Sequence, residues 1–144
     1  MDHGRAGAEA HPAVLALHHE YGWMDEAVSG GELWVARDGD EVVGAVELIE
    51  LDSARVVVAV AVVGEARRGQ GIGSELMSHV LGSRDAEWWT ECRDQRIGFY
   101  ERLGFQVVPA VDLPADVLPF LDHPSTTEPE RPLNFLRRPG SGTL

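Results

Sequence analysis

Eight consecutive apolar residues, Val56 to Val63, six of them valine, lead through Gly64 into Arg68-Gly69-Gln70-Gly71-Ile72-Gly73, and an amphipathic segment follows at once. A continuous β-branched run of this length suits a strand buried on both faces better than one with a wet side. Ile72, Leu76 and Val80, with Met77 and Leu81, recur at helical spacing and predict a helix over 71–81 stopped by Gly82. Trp88 to Cys92 reads as the next strand. A buried strand, a glycine turn, a helix and a second strand form a right-handed crossover, which makes the two strands parallel.

The residues before this unit predict a different arrangement. Pro12 suits a helical first turn, and Val14, Leu17 and Tyr21 follow at helical intervals, so 12–21 is expected to be a helix ended by Gly22. Trp23 to Val28 is expected to add a short second helix. Leu33 to Arg37 and Val42 to Leu51 are strand-like and joined by Asp38-Gly39-Asp40, which predicts an antiparallel hairpin, with Ser53 as a further turn. No strand is legible in Met1 to Ala10.

After the crossover, Asp94 is positioned to cap a helix carrying Ile97, Tyr100 and Leu103, with Gly104 as its stop and Phe105 to Val108 as a strand. Seven of the eight prolines lie between 109 and 139, which leaves room for one helical turn over 117–121 and a last edge strand over 133–136. The expected fold is α+β: a mixed central sheet, antiparallel in its N-terminal strands and parallel across the strand-helix-strand unit, flanked by helices. The 144 residues suit a single domain, 1–144, with 139–144 frayed.

The balance of 24 acidic against 12 basic residues gives a formal charge of -12, which argues against nucleic-acid and anionic-membrane partners and fits an amine-bearing one. Cys92 is the single cysteine, so no internal disulfide forms. Neither a secretory leader after Met1-Asp2-His3-Gly4-Arg5 nor a membrane span is legible, and a cytoplasmic location is expected. His18 and His19 lack further ligands at supporting spacing, so no metal is expected.

The chemistry is carried by the glycines. A helix start leaves about four backbone N–H groups without internal partners and bears partial positive charge, which makes it an anion site where the chain can come close. Gly69, Gly71 and Gly73 lack the Cβ atoms that would block that approach, and Arg68, beside Arg67, adds a planar cation. A nucleotide P-loop is excluded because Ser74, not lysine, follows Gly73. A dinucleotide fingerprint starting at Gly69 would need glycine or alanine at 74, and it normally opens its domain.

Val63-Gly64-Glu65-Ala66-Arg67-Arg68-Gly69-Gln70-Gly71-Ile72-Gly73 resembles the acetyl-CoA motif of the GCN5-related N-acetyltransferase (GNAT) family, with Arg68, Gly71 and Gly73 at the defining positions of [QR]-x-x-G-x-[GA]. Phe99-Tyr100-Glu101-Arg102-Leu103-Gly104-Phe105 is similar to that family's second signature at the expected distance downstream. Together they cover roughly Leu33 to Val108. The chain departs from the pattern at Glu65, where proline is common, and at Arg93, where many members carry an asparagine that contacts the cofactor; the family's first strand is expected to be short or missing.

The resemblance implies an N-acetyltransferase that moves an acetyl group from acetyl-CoA to an amine of a small molecule or peptide. The alternative is a non-catalytic acetyl-CoA-binding sensor or subunit. Implied cofactor contacts are Ala61, Val62 and Val63 at the strand end and Arg68, Gly69, Gln70, Gly71, Ile72, Gly73 and Ser74 at the helix entrance. Phe99, Leu103 and Phe105 read as core, which leaves Tyr100 to protonate the departing thiolate: a phenol of pKa about 10 can donate to a thiolate of parent pKa about 8.5. Glu47, Glu50, Glu91, His18 and His19 stand open as the general base, and Cys92 reads as packing. The implied C-terminal edge strand allows a homodimer.

Overall fold

The computed structural model describes residues 1–20, 31–52, 54–121 and 134–140. The strands are β1 (Asp2–Ala6), β2 (Glu32–Asp38), β3 (Glu41–Glu50), β4 (Arg55–Val63), β5 (Glu87–Cys92), β6 (Gln106–Val108) and β7 (Asn134–Arg138); the helices are α1 (His11–Glu20), α2 (Ile72–Gly82) and α3 (Ile97–Glu101). One mixed seven-stranded sheet runs in the order β1-β2-β3-β4-β5-β7-β6. The β4/β5 pair is parallel, and β1/β2, β2/β3, β5/β7 and β6/β7 are antiparallel. The expected α+β class and crossover are therefore present. The chain divides into two compact units, Met1–Leu48 with Val60–Arg84 and Ile49–Ala59 with Asp85–Leu144.

In the first unit, β1 is a correction to the reading of the N-terminus. Asp2 to Ala6 pair with Arg37 to Leu33 along the free side of β2. Polar residues and a glycine hide this strand, because an edge needs no apolar alternation to be held by its neighbour. The β2–β3 hairpin turns through Gly39 at φ 61°, as its Asp-Gly pair predicts. Val14 and Leu17 of α1 pack with Leu33, Val35, Ala45 and Val62 on one face of the sheet. On the other face, the missing side chain of Gly44 admits Ile72 and Leu76 of α2, whose atoms lie 3.5 and 3.6 Å from where a Cβ would sit. Helix α2 includes Gly82 rather than stopping there; Ser83 closes it by donating its Oγ hydrogen to Val80 C=O at 2.6 Å. The second short helix expected over Trp23 to Val28, and Ser53, lie outside the described residues.

In the second unit, Val56, Val57 and Val58 are buried as a two-sided strand should be, whereas Ala59 is exposed. The parallel ladder matches Arg55, Val56 and Val57 with Glu87, Trp88 and Trp89, and continuous burial is confined to Val56–Val58 in the first half of the valine run. Trp89, Val57, Val117 and Leu121 form a buried cluster under the proline-rich segment. Asp94 does not cap α3: a single 3-10 turn, Asp94–Arg96, precedes the helix, and Asp94 accepts from Asn134 instead. β7 lies between β5 and β6, so it is not the edge strand that its position in the chain suggests, and the route to a dimer through it closes. No helix among the described residues is long and apolar enough to cross a membrane.

Glu87 ties this unit together. Its Oε1 accepts from Trp89 Nε1 at 2.8 Å and pairs with Arg137 Nε at 3.2 Å and Arg55 Nε at 3.4 Å, while Arg55 also reaches Asp116 at 3.2 Å. Burial alone would raise the Glu87 carboxyl, but the hydrogen bonds and charges of Arg137, Trp89 and Arg55 outweigh it and hold it below the ordinary carboxylate range. A depressed carboxyl contributes stability above its ordinary pKa and loses it as pH falls through the folded-state value. Chemical denaturation of the wild type between about pH 6 and 3.5 should therefore show a loss of stability, and Glu87→Gln, less stable at the upper pH, should lose less across the same interval.

Candidate functional site

The cradle is built inside the first unit, at the entrance of α2. Its approach is pinned at three points. Gly64 N–H donates to Val43 C=O at 2.8 Å, Glu65 N–H donates to the Glu20 carboxylate at 3.0 Å, and Arg67 forks onto Asp38 at 2.7 Å and Glu41 at 3.1 Å. The second contact accounts for Glu65 where proline is common, since proline has no N–H to give the Glu20 carboxylate at the end of α1. The third corrects the reading of Arg67: its guanidinium is committed to the hairpin turn. Arg68 is exposed and donates from Nε to Val63 C=O at 3.4 Å.

Gly69 and Gly71 have φ of 80° and 81°, in the left-handed region where an L side chain costs roughly 1–2 kcal/mol. A Cβ at either would point into open space, with nothing within 4 Å. The two glycines are thus required by the backbone turn, and the surface in front of them is accessible to a ligand. Gly71 is the N-cap of α2 and no side chain caps the helix; Glu75 N–H reaches Gly71 C=O at 3.0 Å, closing the first turn. An uncapped start of this kind directs amides and partial positive charge outward.

Gln70 and Ser74 are exposed around this entrance, whereas Ile72 at 3% exposure is a core side chain facing Gly44 and can serve a ligand only through its backbone. A shallow depression of about 340 Å³, lined by Ser74, Glu75, Ser78 and His79, continues along α2. Ala61 and Val63 are half-buried and Val62 is buried at the end of β4 in the same unit. The ten expected cofactor contacts therefore share one unit.

Tyr100 belongs to the second unit. It is buried, and its ring meets the edges or faces of Phe99 and Phe105 at 5.1 and 5.5 Å. Phe105 is buried as expected, whereas Phe99 and Leu103 are half-buried. Among the candidate bases, Glu47 and His18 are buried in the first unit, His19 and Glu50 are exposed, and Glu91 is half-buried. Glu47 pairs in register with Leu33 and lies two residues from Ala45, so its side chain faces the α1 side of the sheet. Burial pushes the Cys92 thiol up to about 11, which keeps it protonated and removes it as a nucleophile. No group of three or more metal-ligating side chains occurs among the described residues.

Two features escaped sequence reasoning. Asn134, at the start of β7, donates to Cys92 C=O at 3.2 Å and Asp94 at 2.8 Å, bringing a carboxamide beside Arg93 from forty residues downstream. His3, on the strand that was not legible, stacks on His79 of α2.

Residues 29–107, more than half of the chain, match the Acetyltransferase (GNAT) domain family. The chain belongs to the GNAT family of acetyltransferases. Solved GNAT-fold structures agree: a GNAT acetyltransferase from Staphylococcus aureus (19% identity, 95% of this chain and 97% of that one, TM-score 0.69) and a Mycobacterium tuberculosis protein in complex with CoA (20%, 96% and 98%, 0.72). Arabidopsis thaliana Naa50 in complex with the bisubstrate analogue CoA-Ac-MVNAL is similar to the same extent (19%, 95% and 97%, 0.68). At these identities the likeness is one of fold. A search of curated protein sequences finds no match.

If the entrance to α2 is the diphosphate site, Gly71→Glu places both a strained backbone and an anion there. Calorimetry should detect no acetyl-CoA binding to that variant, while Gly71→Ala, which adds the strain without the charge, should retain weakened binding. Equal affinity in Gly71→Glu and wild type would remove the site.

Proposed function

We propose that this GNAT chain is an N-acetyltransferase that moves the acetyl group of acetyl-CoA to an amine of a small molecule or peptide. The observation that carries the reading is the uncapped start of α2 behind two left-handed glycines, a surface suited to a diphosphate and fitted with Arg68. The formal charge of -12 favours a cationic acceptor over an anionic one.

Acetyl-CoA is the donor substrate, and it supplies the activated thioester. The chain's own tasks are then three. The cradle amides and Arg68 hold the diphosphate and so fix where the acetyl group lies, which supplies acceleration through alignment. Backbone N–H groups at Ala61 to Val63 stabilise the negative charge that develops on the carbonyl oxygen as the amine attacks. The C–S bond breaks, the amine nitrogen keeps the acetyl group and loses a proton, and the sulfur gains one from Tyr100. Glu47 is the base tested here, a carboxylate buried on the α1 side of β3 in the same unit as the cradle.

The deciding experiment measures free CoA released from acetyl-CoA in the presence of amines, polyamines, amino acids and peptides. Release that depends on an acceptor supports the transferase; tight binding with no turnover on any acceptor supports the sensor or subunit reading instead. With an active acceptor, Tyr100→Phe and Glu47→Gln should each lower the maximal rate by about a hundredfold while calorimetry finds acetyl-CoA affinity nearly unchanged. A fully active variant would take its residue out of the mechanism.

A further inference from the structure

The first turn of the cradle helix carries one acidic residue, Glu75, close to where the proposed ligand brings its own negative charge. A carboxylate there complements the helix start and at the same time repels an anionic ligand. Among the described residues, one side chain from outside the helix comes onto this carboxylate. The side chain of His3 on β1 is more than nine-tenths buried, its Nε2 makes no hydrogen bond among the described residues, and that atom faces Glu75 Oε2 at 3.5 Å. Its ring lies flat on His79, one helical turn beyond Glu75, with centroids 4.7 Å apart and planes inclined by 15°. β1 thus does more than extend the sheet: it carries an imidazole to the cradle.

We propose that His3 is a positioning residue for the diphosphate cradle, one that draws Glu75 aside and, once protonated, neutralises it, so that acetyl-CoA binds more tightly as pH falls through the histidine range. This rests on the reading of the α2 entrance as the CoA site. The surrounding charges are few and mostly committed. On the α2-facing side of β1 and β2, Arg5 pairs with Glu32, which Arg84 also holds, while Arg37 lies on the α1-facing side and pairs with Glu9. From α2 itself, Glu75 and His79 face His3. Two stacked imidazoles resist a double charge, because like charges at this separation repel. Of the two, His3 is the member beside the carboxylate.

Calorimetry of acetyl-CoA binding at about pH 8 and about pH 6, in wild type, His3→Gln, His3→Lys, Glu75→Gln and the His3→Gln/Glu75→Gln double variant, tests this. Wild-type affinity should rise by about threefold at the lower pH relative to His3→Gln, the size of a single charge acting at a helix end. His3→Lys should hold the low-pH affinity at both values. Glu75→Gln should bind tightly at both, and in its background His3→Gln should change nothing further. CoA's own titration is common to all five proteins and drops out of the comparison. Binding with the same pH dependence in wild type and His3→Gln overturns the role of His3 and leaves the CoA site standing, whereas no binding to any of the five overturns both.

Discussion

The left-handed turn at Gly71 is the constraint on which the functional surface depends. Without it the chain leaving β4 would not swing into α2 with its first amides uncovered, and a side chain in the usual capping position would consume them. The turn is cheap for glycine, but it needs a rigid approach to hold one conformation rather than behave as a loose loop. That rigidity comes from three separate pieces of chain: the β3 carbonyl that holds Gly64, the α1 carboxylate that holds Glu65, and the hairpin turn that holds Arg67. The entrance to α2 is thus held by polar contacts at its base and by Ile72 and Leu76 packed over Gly44 beneath it.

Much of this was legible because short-range rules govern it. The hairpin, the valine strand and the cradle helix are each specified by residues within a few positions of one another; the first GNAT signature joins the strand to the helix, and the second lies on α3 and the turn after it. The edges of these elements were less legible. Gly82 continues α2 because Ser83 provides a cap that competes with the glycine stop, and Asp94 is drawn away from α3 by Asn134. β1 was invisible because its stability comes from β2, not from its own composition.

What sequence reasoning missed is mostly long-range pairing. The order β5-β7-β6 is carried by contacts such as Trp88 with Arg138 and Val107 with Leu136, and no local pattern records which of two late strands lies inside. The valine run misled for a related reason. Eight apolar residues predict burial on both faces, but Ala59 is exposed and Val60, Ala61 and Val63 are half-buried, and hydrophobicity does not say where the elements covering a face stop. The role of Arg67 was equally hidden, since the carboxylates that claim it lie 26 and 29 residues away.

The interior place of β7 bears on how the chain is made. β6 is paired through β7, and β5 shows its outer edge until β7 arrives, so the second unit has an unfilled slot while the ribosome is still delivering residues beyond 121. Every residue of the cradle unit is translated before β5. Vectorial synthesis therefore exposes an open strand edge on the nascent chain for the time needed to translate the proline-rich segment, and that interval is when a chaperone or a neighbouring nascent chain would compete for it.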